Sequence, residues 1–167
     1  MAAQALTTIA LILLVASGIS KLKDPVPTVG ALRAAKLPSS QVGVRILGVL
    51  ETITSIAALA VGGVFLLATA LLYVGFAGFV IAALRGHFPL HSCGCFGRDD
   101  TPPTVMHAGF NVVSAIALAA VAFRGETPIP WDLPTTVVAL FVAYGVIGAY
   151  LSWLMLSKAP TPTAELR

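Results

Sequence analysis

The sequence is poor in charge. Asp, Glu, Lys and Arg make up 10% of its 167 residues, against 57% apolar residues. A soluble domain carries about 25% charge and about 45–50% apolar residues. This chain has too little polar side chain to cover a globule in water. That shortage excludes a soluble cytosolic enzyme, a disordered tail and a nucleic-acid reader, so no nucleic acid is expected as a partner. Cysteine is scarce as well. Two residues cannot form the disulfide scaffold of a small secreted domain, so whatever they do, they do as one pair. No repeat, low-complexity linker or appended soluble domain is visible.

Long uncharged runs take the place of the missing charge. Residues 1–20 carry no charged side chain, and neither do 101–123 or 133–157. Between Ile46 and Leu84 the only charge is Glu51. A bilayer-crossing helix needs about 20 apolar residues. The stretch 46–84 is therefore two crossings, with Gly62-Gly63 as the turn. The expected architecture is an all-α, polytopic membrane bundle over 1–157, with helices at about 3–20, 44–61, 64–84, 105–123 and 134–157. Residues 158–167 read as a flexible tail. The first run lacks a basic region before it, and Lys21 and Lys23 follow it, so it is expected to stay as a membrane helix rather than be cleaved. Gly145, Gly148 and Ala149 on the last helix are either a close-packing face or plain composition bias.

Five crossings put the termini on opposite faces. The N-terminal face holds one basic residue, Arg124. The other holds nine: Lys21, Lys23, Arg33, Lys36, Arg45, Arg85, Arg98, Lys158 and Arg167. The positive-inside rule assigns that second face to the cytoplasm of a bacterial plasma membrane. In the loop 21–45, Thr28 can cap a short helix ending before Pro38, with Val29, Leu32 and Ala35 on one side and Arg33 and Lys36 elsewhere. An interfacial helix and an ordinary basic loop both fit.

The reactive side chains gather toward the second face. Lys21 ends the first helix there. Glu51 lies about two turns inside the second if that helix begins near Val44. An ionised carboxylate in hydrocarbon must pair, face the interior or take a proton, and Lys21 and Arg85 are its candidate partners. A packing role and a proton-handling or ligand-binding role are both open. His107 opens the fourth helix, and Asn111 follows one turn deeper on the same side.

The loop after the third helix runs Arg85-Gly-His-Phe-Pro-Leu-His-Ser-Cys-Gly-Cys-Phe-Gly-Arg98. Phe88, Leu90 and Phe96 are unusual in a water-exposed loop and imply folding back on the bundle mouth. Cys93 and Cys95 allow three chemistries. A disulfide closed over one glycine is strained and easily reduced, which suits exchange, and Arg85, Arg98 and the histidines favour the reactive thiolate. Alternatively His87, His91, Cys93 and Cys95, with His107 as a fifth donor, match the N and S ligands of Zn²⁺ or Cu⁺, as in a metal-binding or transport protein. The thiols can also be structural, in a non-catalytic scaffold subunit.

Several elements resemble the MauE branch of the DoxX-like bacterial membrane proteins, named for a methylamine-utilisation protein. They are Ser17-Gly18-Ile19-Ser20-Lys21-Leu22-Lys23-Asp24-Pro25, Gly48-Val49-Leu50-Glu51, Phe79 to Gly86, Cys93-Gly94-Cys95-Phe96-Gly97 and Asn111. The similarity runs over about 5–123, and the Cys-x-Cys-Phe-Gly element is the most specific part. The resemblance implies a four-helix core plus an added fifth helix. It also implies a thiol-redox role beside a thioredoxin-like partner, in maturation of exported disulfide-containing proteins such as methylamine dehydrogenase. Cys93 and Cys95 would be the redox pair, with Lys21 and Glu51 as the family's polar positions in the first two helices. The residues themselves suggest a thiol-disulfide oxidoreductase that exchanges electrons with a thioredoxin-like protein or a membrane quinone, with Glu51 and His107 as candidate proton handlers and Lys21, Arg85 and Asn111 as candidate cofactor-side residues. One departure is visible: the family pattern has Arg immediately before the helix-four Asn, and here that residue is Phe110. Charge counting also conflicts with export, since it sets the thiols on the cytoplasmic side whereas disulfides form outside.

Overall fold

The computed structural model describes residues 1–87 and 103–157. Among these the chain is all-helical: α1 Ala2–Lys23, α2 Val26–Ala34, α3 Gln41–Val61, α4 Val64–Leu84, α5 Val105–Phe123 and α6 Thr135–Ser157. Five of the six, all but α2, are long and apolar enough to cross a membrane. The protein is a multi-pass membrane protein. Its outer surface carries side chains that only lipid would suit, such as Leu71 and Leu140 at 72% exposure and Met155 at 66%.

The helices form two tight pairs, α1 with α3 and α4 with α5, and α1 also touches α5 and α6. Leu11, Leu14, Ala58, Leu66, Tyr73 and Leu118 meet in the centre. Two local features set the helix ends beyond the uncharged runs. α3 begins at Gln41, earlier than expected, because the Ser40 hydroxyl accepts the Gly43 N–H at 2.9 Å and so caps it. α1 runs on through Lys23 because Lys21 is buried inside the bundle rather than released to water.

The α3–α4 turn falls at Gly62-Gly63, both with positive φ (66° and 58°), a conformation that glycine adopts at little cost. On the same face, the α5–α6 connection is tied to α1. The Gln4 amide donates to the Thr127 carbonyl at 3.0 Å, and the Thr8 hydroxyl to that of Pro128 at 3.0 Å.

At the opposite face, α2 starts ahead of Thr28. The Asp24 carboxylate accepts the Val26 N–H at 3.1 Å, and Thr28 lies buried within the helix instead of capping it. Pro27, Thr28, Val29 and Ala31 turn inward while Arg33 and Lys36 stay exposed. α6 uses its small residues for close approach. A Cβ on Gly145 would lie 2.8 Å from Thr8 Cγ2, and one on Gly148 would lie 2.5 Å from Ile9 Cδ1. Of the two readings of these small residues, packing holds.

Candidate functional site

The site is built on the crossing of α1 and α3. Gly18 and Gly48 face each other there without side chains. A Cβ on Gly18 would sit 2.7 Å from the Gly48 carbonyl oxygen, and a Cβ on Gly48 would sit 2.7 Å from that of Gly18. Small residues let membrane helices approach this closely. One turn on from each glycine stands a charge, Lys21 on α1 and Glu51 on α3. The close crossing therefore brings the two together.

Lys21 Nζ donates to Glu51 Oε2 at 2.9 Å and to the Ser17 hydroxyl at 2.6 Å. Lys21 is 3% exposed and Glu51 fully buried. The Lys21 ammonium also lies 5.5 Å from the centre of the Phe76 ring on α4, within cation–π range. Of the two candidate partners for Glu51, Lys21 takes the role. Arg85 closes α4 as an exposed residue and is absent from this cluster. Glu51 is also deeper than two turns. It lies ten residues from the start of a 21-residue helix, about 15 Å along its axis.

Two cavities flank Phe76. The first, about 40 Å³ and partly open, lies between α1, α4, α5 and α6. Ser17, Tyr73, Phe76, His107, Phe110 and Asn111 line it. His107 is held by its own helix cap. Its Nδ1 lies 2.8 Å from the Thr104 hydroxyl and accepts the Thr104 N–H at 3.3 Å, while the Thr104 hydroxyl accepts the His107 N–H. An Nδ1 that accepts from the backbone leaves the ring proton on Nε2. His107 and Asn111 thus face one space with Ser17, which links them to the ion pair. Phe110 meets Tyr73 edge-on at 6.3 Å between ring centres. The Tyr73 hydroxyl donates to the Ala10 carbonyl at 2.7 Å.

The second cavity, about 280 Å³, lies between α1, α2, α3 and α4. Apolar side chains make most of its wall, with Phe76 and Phe79 on α4 and Lys21 as the one charged group.

Cys93, Cys95 and His91 lie outside the described residues. His87 is exposed at the end of α4, its Nδ1 3.2 Å from the Ala82 carbonyl oxygen. Among the described residues no three His, Cys, Asp or Glu side chains gather as a metal site.

The sequence reading passed over Gly18, Gly48 and Phe76 as site-forming residues. A signal for the first two was present: Gly18-x-x-Lys21 and Gly48-x-x-Glu51 share one spacing, which sets each charge on the face of its glycine.

The family model described as "Methylamine utilisation protein MauE" matches residues 1–124. The chain belongs to the MauE family. The match ends at Arg124, the residue that caps α5, so the family unit is α1–α5 and α6 lies outside it. The ion pair, the three cavity-facing residues of α5 and the two cysteines all fall within it. Searches of curated proteins and of solved structures found no match.

Proposed function

We propose that this protein is a membrane thiol–disulfide redox protein in which Cys93 and Cys95 exchange electrons with a thioredoxin-like partner. The carrying observation is a close thiol pair in a MauE-family chain, on the connection between α4 and α5, the helices that contribute Phe76, His107 and Asn111 to the first cavity. In the exchange, one thiolate attacks the partner disulfide and forms a mixed disulfide. The second thiolate then displaces the partner sulfur. The pair ends oxidised by two electrons and the partner reduced by two, and the reverse direction uses the same steps.

Supporting residues have distinct tasks in this reading. His107, with its proton on Nε2, and Glu51 handle protons as thiols become thiolates. Lys21 serves the cofactor side, Asn111 shares the first cavity with His107, and Arg85, exposed at the end of α4, favours thiolate nearby. The basic residues set the α4–α5 connection on the cytoplasmic side of a bacterial plasma membrane. Electrons for an exported client then have to cross the bundle.

The test is redox equilibration of the purified protein in lipid nanodiscs with reduced or oxidised thioredoxin. Alkylation of Cys93 and Cys95 is expected to follow the thioredoxin state. Alkylation that ignores it would sink the proposal.

A further inference from the structure

The cavity between α1, α2, α3 and α4 has a use that the thiol chemistry does not by itself require. It opens at Leu71, which is 72% exposed, and at Gly75, also on the outer face of α4. In a membrane protein that side meets lipid, so the occupant must arrive through the bilayer. Lys21 sets its polar requirement. An ammonium has three N–H donors. Ser17 and Glu51 take two of them, and the third has no acceptor among the described residues. A buried donor of this kind calls for an oxygen. Glu51 already balances the Lys21 charge, so a carboxylate or phosphate would add a second negative charge with nothing to offset it. A neutral carbonyl fits. Phe76 and Phe79 on the same wall favour a flat ring over a saturated chain.

We infer that this cavity binds a lipid-soluble quinone, its ring against Phe76 and Phe79 and one carbonyl oxygen accepting from Lys21. The choice of a quinone over another neutral carbonyl rests on the thiol-redox reading, since a quinone is the membrane-soluble acceptor of two electrons and two protons that an oxidising dithiol needs.

Gly75 supplies the test. It lines the cavity, and a Cβ there would meet nothing within 4 Å, so a larger side chain enters the space without a clash. Gly78, one turn on, also faces open space but is not part of the cavity wall. The full chain, in nanodiscs of synthetic phosphatidylcholine free of quinone, is irradiated with a short-chain azidoquinone, and the labelled peptides are mapped by mass spectrometry. Label is expected on α4 around 71–79 and is displaced by excess unlabelled quinone. Gly75→Leu should lower labelling about tenfold, equivalent to about 1.4 kcal/mol of binding, with no loss of thermal stability. Gly78→Leu should leave it unchanged. Label that persists in Gly75→Leu, maps to the His107–Phe110 cavity, or is not displaced would overturn the assignment. So would phosphatidylcholine retained in native mass spectra against excess quinone and lost only in Gly75→Leu. Labelling does not use the thiols. It is expected to survive Cys93→Ser with Cys95→Ser, so the cavity and the thiol reading can fail separately.

Discussion

The buried pair between α1 and α3 makes a prediction that separates packing from function. Lys21→Met strands a carboxylate at the midpoint of α3, and Glu51→Leu strands an ammonium with only Ser17 left to accept from it. Breaking a buried ion pair by removing one partner costs about 3–5 kcal/mol. For a chain of this length that corresponds to a fall in melting temperature of about 6–20 °C. The double variant behaves differently. Replacing both partners by apolar residues of similar size is often nearly neutral, because no charge is left unpaired. The two single losses together come to about 6–10 kcal/mol against a near-zero loss in the double variant, so the coupling should exceed the value of about 3 kcal/mol that marks the upper end for contacting pairs. The assay is thermal unfolding in nanodiscs for the four proteins of the cycle. Losses that simply add would refute the pairing. The same double variant tests function. If Glu51 handles protons for the thiols, the refolded bundle should exchange with thioredoxin about 10²-fold more slowly. Unchanged exchange would reduce the pair to a packing device.

Other expectations follow from single contacts. Gly18→Leu drives a side chain into the backbone of α3 and should destabilise by about 1–3 kcal/mol or more in the same unfolding assay. Tyr73→Phe removes the hydrogen bond to the Ala10 carbonyl and should cost about 1 kcal/mol. Purified protein should carry no stoichiometric zinc or copper, which elemental analysis will check; one metal ion per chain, lost on Cys93→Ser, would favour the metal-binding alternative. A chain ending at Arg124 should still insert and keep the Lys21–Glu51 coupling, since α6 lies outside the family unit and adds to neither side of that pair.

The five spans were legible in the sequence because a crossing demands a run of about 20 uncharged residues, and little else permits such a run. Glu51 was legible for the converse reason, as a charge in hydrocarbon needs an explanation. Its partner was not settled, because Lys21 and Arg85 both lie near the right depth and only the angle and closeness of the helix crossing decide between them. That closeness comes from Gly18 and Gly48, residues that look like composition bias until seen face to face. α2 was misjudged at its start, since Asp24 satisfies the first N–H from outside the helix and the Thr28 hydroxyl is not needed there. Phe76 had no sequence signature at all. One aromatic among many on α4, it owes its position between two cavities to packing, which periodicity on an all-apolar helix cannot reveal.

The central claim is that Cys93 and Cys95 cycle between dithiol and disulfide in the membrane. Counting their alkylated forms by intact-protein mass spectrometry, before and after dithiothreitol and after a mild oxidant, tests it most directly. Reversible gain and loss of two alkylations, abolished in Cys93→Ser, is the predicted result. Two thiols that stay reduced under every oxidant would contradict it.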